Sequence, residues 1–420
     1  MIRNRTINVR GEDMENREVH EETQTLWKNK NFLLIWGGNV VSSLGFQIYS
    51  IAIPLLIYSM SQSAIAMSAM RAIEFLPNIF IGMIAGVLVD RFNRKKMMQW
   101  TSFIQFACVL GIVLLLLVSQ LELWHLYILG FILSCAGYTF GNASHSIIPQ
   151  IVEKEQLTSA NAKLTFMSTI VQTAGPGMAG AFLAAFSFTS TFALYLFCLL
   201  ILLLCIRSIK LPSAAKETSR QTGIWTEMKE GLVELFQNKT LLTPTITVLF
   251  VNFAASLVIG VLVFYVTDQL GATEAEVGLM FTISAAGGLI GAAFISQIRK
   301  KFGRGNIYTF CLLIDVIGIT SLIFAPTWWT IGIALGIRTF STTLSNIVYF
   351  TIRQEFTPNH LLGRVAGTSS MLMKLTLPLG LLIAGLWAEW LPIPILFAIS
   401  SCILFILFIR LFFHPFRKLV

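Results

Sequence analysis

The sequence predicts an all-α membrane protein in which twelve transmembrane helices form two pseudo-repeated six-helix bundles. Three observations support this fold class. Apolar stretches of spanning length recur along the 420 residues, the basic residues occur in alternate connections, and the two halves of the chain share short matching segments. Each observation is typical of a chain that crosses a bilayer repeatedly.

Twelve apolar stretches account for most of the chain. A helix of about twenty residues, rising about 1.5 Å per residue, crosses a hydrocarbon core of about 30 Å, and every stretch is close to that length or longer. We expect the helices near 31–58, 65–89, 97–118, 123–148, 160–186, 190–206, 241–267, 276–298, 307–325, 328–352, 364–389 and 393–413.

The basic residues indicate which connections share a side of the membrane. Of the 30 Lys and Arg residues, 27 lie in alternate polar segments, three lie inside apolar stretches and none lies in the other connections. Those other connections include 59–64, 119–122, 268–275 and 390–392. Because basic loops are retained in the cytoplasm, we expect both termini inside the cell and the protein in a plasma or inner membrane.

The composition excludes an ordinary soluble protein, since 55% of the residues are hydrophobic and only 12% are charged. The net charge of +9 follows from the basic loops and favours contact with anionic lipid, so no nucleic-acid partner is expected. The six cysteines lie in apolar stretches without CxxC spacing, which predicts neither a disulfide nor a metal site, and we expect no cofactor. A P-loop motif is missing from the sequence, which argues against ATP-driven pumping.

Polar segments divide the chain into five regions. The predicted regions are a disordered cytosolic tail (1–30), an N-terminal bundle (31–207), a cytoplasmic linker (208–240), a C-terminal bundle (241–413) and a second cytosolic tail (414–420). Within the linker, Trp225, Met228, Leu232 and Leu235 follow helical spacing. This pattern predicts a short helix on the membrane surface, and a partner-binding helix is the alternative.

The two halves repeat weakly. A shift of 205 residues places Gly86, Arg94, Lys95 and Lys96 on residues of the same type, and a shift of 204 does so for Gln150 and Leu157. The matched segments lie in equivalent predicted loops. Duplicated six-helix bundles with a site at their interface are typical of secondary transporters.

The connection after the second stretch carries a recognisable motif. The segment from Gly86 through Asp90 and Arg91 to Arg94 and Lys95 resembles the signature G-x-L-x-D-R-x-G-R-K of the major facilitator superfamily, although Asn stands where the second Gly is usual. The resemblance implies that this loop latches the cytoplasmic ends of the two halves in one phase of alternating access. A purely topogenic basic cluster is the alternative.

A second motif lies in the fifth stretch. Gly175, Pro176 and Gly180 resemble the core of the motif of drug antiporters in this superfamily, although the glycines that normally precede it are missing. A proline kink with tight packing is the alternative. Over residues 31–413 the chain resembles the macrolide-efflux and enterobactin-exporter type of drug:proton antiporter. This resemblance implies a small-molecule substrate and protons as partners, and we expect a monomer.

Five charged residues lie inside apolar stretches: Arg71, Glu74, Asp315, Arg338 and Lys374. A charge at the bilayer centre costs about 2.5–3.5 kcal/mol, so these residues are expected to pair or to face a cavity. Arg71 and Glu74, at i and i+3, share one helix face and are expected to pair. Arg338 is expected either to bind an anionic substrate or to neutralise Asp315.

Glu74 is the candidate proton carrier. It lies near the predicted midplane, and Lys374 lies at a similar depth on a helix that meets the second helix in the family's architecture. A carboxylate between Arg71 and Lys374 changes its charge state readily when the cavity opens or closes. A static ion pair is the alternative. Many proton-coupled drug exporters carry an Arg in the fourth helix, and Leu133 stands near that place.

The family's cavity is lined by helices one, four, seven and ten. The polar candidates on these helices are Asn39, Gln47, Asn142, His145, Asn252, Arg338, Asn346 and Tyr349. His145 is a secondary candidate for protonation. Each of them is equally suited to an interhelical hydrogen bond.

The favoured function is proton-coupled export of amphiphilic, drug- or macrolide-like molecules through the lipid bilayer. A siderophore or lysolipid exporter of the same superfamily is one alternative. A membrane sensor or scaffold that transports nothing is the other.

Overall fold

Long α-helices joined by short connections make up the chain in this computed structural model, which describes residues 26–91, 93–153, 156–210, 224–358 and 361–419. The N-half consists of α1 (Lys30–Ser61), α2 (Ala64–Arg91), α3 (Arg94–Leu117), α4 (Leu123–Ile151), α5 (Leu157–Ala185) and α6 (Phe188–Ser208).

The C-half follows a separate short helix, α7 (Ile224–Gln237). It consists of α8 (Lys239–Phe264), α9 (Glu274–Lys301), α10 (Arg304–Ile323), α11 (Trp328–Phe356), α12 (Leu362–Lys374), α13 (Leu377–Trp390) and α14 (Ile393–Phe412). A π-helical turn, Tyr265–Gln269, extends α8, and a 3-10 turn, Pro415–Lys418, follows α14.

The predicted all-helical membrane fold is confirmed. Among the described residues, ten segments are long and apolar enough to span a bilayer, counting α12 with α13 and α8 with its π turn. The other two crossings, α2 and α5, contain 28 and 29 residues and pack in the same bundles. The helix ends follow local rules: Asn29 caps the first helix by accepting from two backbone N–H groups, and Gln62 ends it in a left-handed conformation.

Within each half, described parts of the basic connections contact one another, and we call this end of the molecule the basic end. At the start of α1, Asn29 Nδ2 donates to the carbonyl oxygen of Ile151 at the end of α4, over 2.6 Å. In the C-half, Arg304 at the start of α10 pairs with Glu355 at the end of α11. The sorting of basic residues along the sequence therefore corresponds to a surface in three dimensions.

The two halves contact each other towards the opposite end. There α5 packs along α9, and α2 packs along α13. Tyr58 Oη donates to Asp268 Oδ1 over 2.9 Å, and Ser63 Oγ donates to Glu389 Oε1 over 2.6 Å. Each bond joins one half to the other, so hydrogen bonds near the helix ends reinforce the helix packing that closes this end.

The eleventh crossing is two helices, whereas the sequence predicts one helix over 364–389. The chain leaves the helical path after Lys374 and resumes at Leu377, with Pro378 in the first turn of α13. Asn252 Nδ2 donates to the carbonyl oxygen of Met373 over 2.9 Å, which satisfies a backbone group freed by the break. The break places Lys374 at the end of a helix within the membrane.

The linker helix packs on the C-half instead of lying only on the membrane surface. Leu235 of α7 is fully buried, and a Cβ on Gly231 would approach the backbone oxygen of Arg364 within 2.6 Å. Glu230 also pairs with Arg364. The remainder of the predicted linker, 211–223, lies outside the described residues, as does most of the predicted N-terminal tail, 1–25.

The last residues pack against α10 and do not form a free tail. The backbone N–H of Gly305 donates to the carbonyl oxygen of Leu419 over 2.9 Å. Arg417 Nε donates to Asn306 Oδ1 over 3.0 Å, and the ring of Phe416 packs against the ring of Tyr308 in α10. The basic end of the C-half is therefore covered by both α7 and the C-terminal segment.

Candidate functional site

A cavity of about 730 Å3 lies within the N-half. Most of its lining comes from α1, α2, α4 and α5, and includes hydroxyl, amide and aromatic side chains. Asn161 and His145, near the basic ends of α5 and α4, line it, so the cavity extends towards the basic end. Its volume is in the range of small-molecule sites, about 300–1,000 Å3, and the mixed lining suits an amphiphilic ligand.

Arg71 and Glu74 form the ion pair that their spacing predicts. Arg71 Nη1 lies 3.2 Å from Glu74 Oε2, and Arg71 Nη2 donates to the carbonyl oxygen of Ser50 over 2.7 Å. Both charged residues line the cavity. Glu74 is the only carboxylate among the described lining residues, which makes it the one acidic group there that a ligand or a proton could reach.

A buried tyrosine lies near the carboxylate of Glu74. Tyr49 on α1 is 1% exposed, and its hydroxyl lies close enough to Glu74 for an electrostatic interaction. Neither Glu74 Oε1 nor Tyr49 Oη has a well-oriented hydrogen bond in the described part of the chain. Glu74 Oε1 can therefore take part in one further hydrogen bond. Forming it would be stabilising, because a buried polar atom without a hydrogen bond is unfavourable.

Lys374 reaches the cavity wall from the C-half. Its ammonium donates to Asn78 Oδ1 over 3.3 Å and lies 5.9 Å from the ring centre of Tyr138. Asn78 and Tyr138 both line the cavity. The sequence suggests a contact between Lys374 and Glu74, but the structure places Lys374 against Asn78, one helical turn further along α2.

The fifth-stretch motif forms a close contact between the halves. A Cβ on Gly180 would lie 2.6 Å from the backbone oxygen of Glu274 and 2.8 Å from Gly278 Cα on α9. A Cβ on Gly175 would lie 2.5 Å from Gln47 Cγ on α1. Pro176 lies inside α5, which continues past it to Ala185. The small residues therefore allow α5 to approach both α1 and α9 closely.

The transmembrane secretion effector family matches residues 24–419. The chain belongs to this family. An MFS-type transporter of Bacillus subtilis, the uncharacterised YfiS, is 26% identical over 397 residues, covering 90% of this chain and 92% of that protein. Macrolide efflux protein A of Streptococcus pyogenes is 24% identical over 381 residues, covering 90% and 94%.

A solved structure shows the same fold. A bacterial homologue of the iron transporter ferroportin, in an inward-facing state, has a TM-score of 0.71 at 17% identity, covering 93% of this chain and 100% of that chain. The protein is therefore a secondary transporter of the major facilitator superfamily and not an enzyme.

In this transmembrane secretion effector, the described part of the latch motif lies within the N-half. Arg94 Nη1 donates to the carbonyl oxygen of Ser146 over 2.8 Å. Lys95 Nζ donates to the carbonyl oxygens of Arg207, over 3.2 Å, and Ile209, over 2.5 Å. The structure describes the backbone of Gly86, Asp90 and Arg91 as part of α2, but their surroundings lie outside what it describes. Arg94 and Lys95 thus connect α3 to α4 and α6 in this conformation.

Two of the predicted polar cavity residues on helices one and four line the cavity. Asn39 lies on the wall and donates to Ser144 Oγ over 3.0 Å, and His145 lies nearby on α4. Gln47 packs under Gly175, and Asn142 Nδ2 donates within its own helix to the carbonyl oxygen of Tyr138 over 2.8 Å.

The C-half candidates do not line this cavity as it is described. Asn252 binds the backbone at the helix break, and Asn346 is exposed. Tyr349 is buried and its hydroxyl lies 3.0 Å from Thr245 Oγ1. Arg338 Nε lies 3.4 Å from Asp315 Oδ1. Of the two roles predicted for Arg338, this position corresponds to neutralising Asp315 and not to binding a substrate in this cavity.

Sequence reasoning missed Tyr49, Asn78 and Tyr138, which surround the charged residues. Two of them carry a positional signal. Asn78 follows Glu74 by four residues and therefore shares its helix face, and Tyr138 precedes His145 by seven. Tyr49 gives no such signal, because a buried aromatic residue in an apolar helix is ordinary.

Proposed function

We propose that this transporter exports amphiphilic, drug- or macrolide-like molecules across the cell membrane by proton-coupled alternating access, with Glu74 as the proton carrier. The observation that carries the proposal is a cavity that contains one described carboxylate, extends towards the basic end and is separated from the opposite end by contacts between the halves. With the basic loops and both termini in the cytoplasm, this geometry is a state that loads substrate from inside the cell.

The surroundings of Glu74 support its role. The Arg71 guanidinium stabilises the ionised carboxylate through Oε2. A proton on Oε1 would give that atom a hydrogen to donate to Tyr49 Oη, so the neutral form also has a partner within reach. A carboxyl group for which both charge states are accommodated is suited to exchange a proton during the transport cycle.

Likeness to an efflux protein supports the substrate class. The name of macrolide efflux protein A gives its own substrate, and the two chains align over nearly their whole lengths. The cavity combines rings such as those of Phe46 and Phe75 with hydroxyl groups such as those of Ser42 and Ser43. Such a wall accommodates a large apolar body with several polar substituents.

Transport into inverted membrane vesicles with an imposed proton gradient tests the proposal. A macrolide and a catecholate siderophore are compared as substrates, in wild type and in Glu74→Gln. We expect gradient-driven macrolide accumulation by wild type and accumulation at the level of empty vesicles for Glu74→Gln. Glu122→Gln, an equal loss of charge at the exposed cap of α4, is the control and is expected to transport normally.

Two results would contradict the proposal. If transport by Glu74→Gln depends on the proton gradient as strongly as transport by wild type, Glu74 is not the proton carrier. If the siderophore accumulates and the macrolide does not, the substrate is siderophore-like instead of macrolide-like.

A further inference from the structure

Among the residues that the structure describes, Lys374 has no carboxylate partner, and it contacts two residues that line the cavity. Its contacts are the amide oxygen of Asn78 and the ring of Tyr138, and both of these groups are neutral. The ion pairs in the described part of the chain use other cations, namely Arg71, Arg304, Arg338 and Arg364. Burying an unpaired charge at membrane depth costs about 2.5–3.5 kcal/mol, so an anion at this place would be stabilising.

The other charges at the cavity do not supply that anion. Glu74 is the only carboxylate among the described lining residues, and it is already paired with Arg71 at 3.2 Å. These two groups neutralise each other. Among the described residues, Lys374 therefore leaves the region beside Asn78 and Tyr138 with a net positive charge, which attracts anions.

The cavity next to Lys374 has room for more than a small ion. Its volume is about 730 Å3, and Phe75, Leu133 and Phe140 contribute apolar surface. A ligand that satisfies both features has an apolar body in the N-half cavity and an anionic group at the Lys374 ammonium.

We propose that Lys374 binds an anionic group of the substrate, and that the transporter therefore binds an amphiphile that carries such a group more tightly than an uncharged amphiphile of the same shape. The inference rests on the proposed export function and adds a charge preference to it. Lys374 becomes a specificity-determining residue, because the charge of the ligand decides whether a half-buried cation is neutralised.

The position of Lys374 also connects binding to the arrangement of the halves. It belongs to α12 of the C-half, but its two contacts belong to α2 and α4 of the N-half. An anion held between these groups would contact both halves at once. A ligand shifts a conformational equilibrium only by the difference in its affinity for the two states, and a contact shared by both halves supplies such a difference.

The test uses a matched pair of probes, radiolabelled cholate and its methyl ester, which differ by one negative charge. Binding of each probe, below its micellar concentration, is measured on the full-length protein in lipid nanodiscs, with empty nanodiscs as background. The proteins are wild type, Lys374→Gln, which removes the charge, and Lys374→Arg, which keeps it.

We expect wild type to bind cholate more tightly than its ester. A charge-assisted hydrogen bond contributes about 1.5–3 kcal/mol, so Lys374→Gln should weaken cholate binding about tenfold or more. Binding of the methyl ester should stay unchanged in both variants, and Lys374→Arg should retain most of the affinity for cholate.

Several outcomes overturn the inference. They are equal weakening of both probes by Lys374→Gln, a wild type that prefers the ester, and a wild type that binds neither probe. Unchanged ester binding in Lys374→Gln shows that the variant is folded. Because no proton gradient is applied, failure here is distinct from failure of the proton-coupled export test with Glu74→Gln.

Discussion

In the part of the chain that the structure describes, the N-half and the C-half each contain one intramembrane ion pair, and the two pairs differ in how they are built. Arg71 and Glu74 lie on one helix, at 24% and 11% side-chain exposure, beside a cavity. Arg338 and Asp315 lie on two helices, α11 and α10, at 12% and 3% exposure. The first pair holds two side chains of one helix together, whereas the second links α10 to α11.

This difference assigns different tasks to similar residues. Gly318 lets α10 approach α11 closely, since a Cβ there would lie 3.1 Å from the backbone nitrogen of Arg338. The pair it brings together joins two helices within the C-half. In the N-half, Arg71 keeps a second acceptor, the carbonyl oxygen of Ser50, so Glu74 is able to change its charge without leaving the guanidinium unpartnered.

Matched isosteric changes should separate the two pairs most clearly. Asp315→Asn leaves the Arg338 guanidinium buried without a counter-ion, and Arg cannot lose its proton, so we expect a loss of about 3–5 kcal/mol of unfolding free energy. Glu74→Gln should be much less destabilising, because Arg71 retains the bond to Ser50. Thermal unfolding of the purified protein in detergent measures both.

A double variant provides the control for this comparison. Asp315→Leu combined with Arg338→Met replaces the pair by apolar side chains and should restore most of the lost stability. Equal destabilisation by Asp315→Asn and Glu74→Gln, or no rescue by the double variant, would show that the two pairs are equivalent.

The contact between the halves should be sensitive to a single methyl group. In Gly180→Ala the new Cβ would lie 2.6 Å from the backbone oxygen of Glu274, and such overpacking costs about 1–3 kcal/mol. The α5–α9 contact should open. In a cysteine-free background carrying Tyr58→Cys and Asp268→Cys, we expect the yield of cross-linking between the halves to fall severalfold.

Gly367→Ala is the matched control, because nothing lies within 4 Å of its added Cβ. It should leave the cross-linking yield unchanged. The same yield in Gly180→Ala as in Gly367→Ala would contradict a role for this glycine in closing the end opposite the basic end.

The helices and the placement of the basic residues in alternate connections were predictable because they depend on local composition. Spanning length, the placement of Lys and Arg, and the i, i+3 spacing of Arg71 and Glu74 need no knowledge of tertiary packing. The small residues of the fifth stretch also indicated a close helix contact. Their partner on α9 was not evident, since nothing local marks Gly278 among many glycines.

The lining of the cavity was harder to predict because it depends on how helices distant in the sequence pack together. Four candidates were assigned to the C-half because helices seven and ten line the family's cavity, yet Asn252 binds backbone at the break of the eleventh crossing. That break itself was missed: Pro378 is its sequence signal, but prolines also lie inside the unbroken helices α1 and α5. Lys374 reaches Asn78 instead of Glu74, a contact that depends on how α12 lies against α2.

A surface ion pair of the C-half should show the smallest effect. Glu230 of α7 pairs with Arg364, and its side chain is 43% exposed. Exposed pairs contribute about 0–1 kcal/mol, so Glu230→Gln should change the unfolding free energy by no more than that. Hydrogen exchange of the α7 amides measures whether the helix remains docked.

Leu235→Ala separates the contribution of apolar burial from that of charge. Leu235 is fully buried against the C-half, and removing such a side chain costs about 2–5 kcal/mol, so the α7 amides should exchange much faster in this variant. Faster exchange in Glu230→Gln than in Leu235→Ala would mean that the ion pair holds the helix. The ordering we expect is the reverse, because buried apolar contacts resist solvent screening and an exposed ion pair does not.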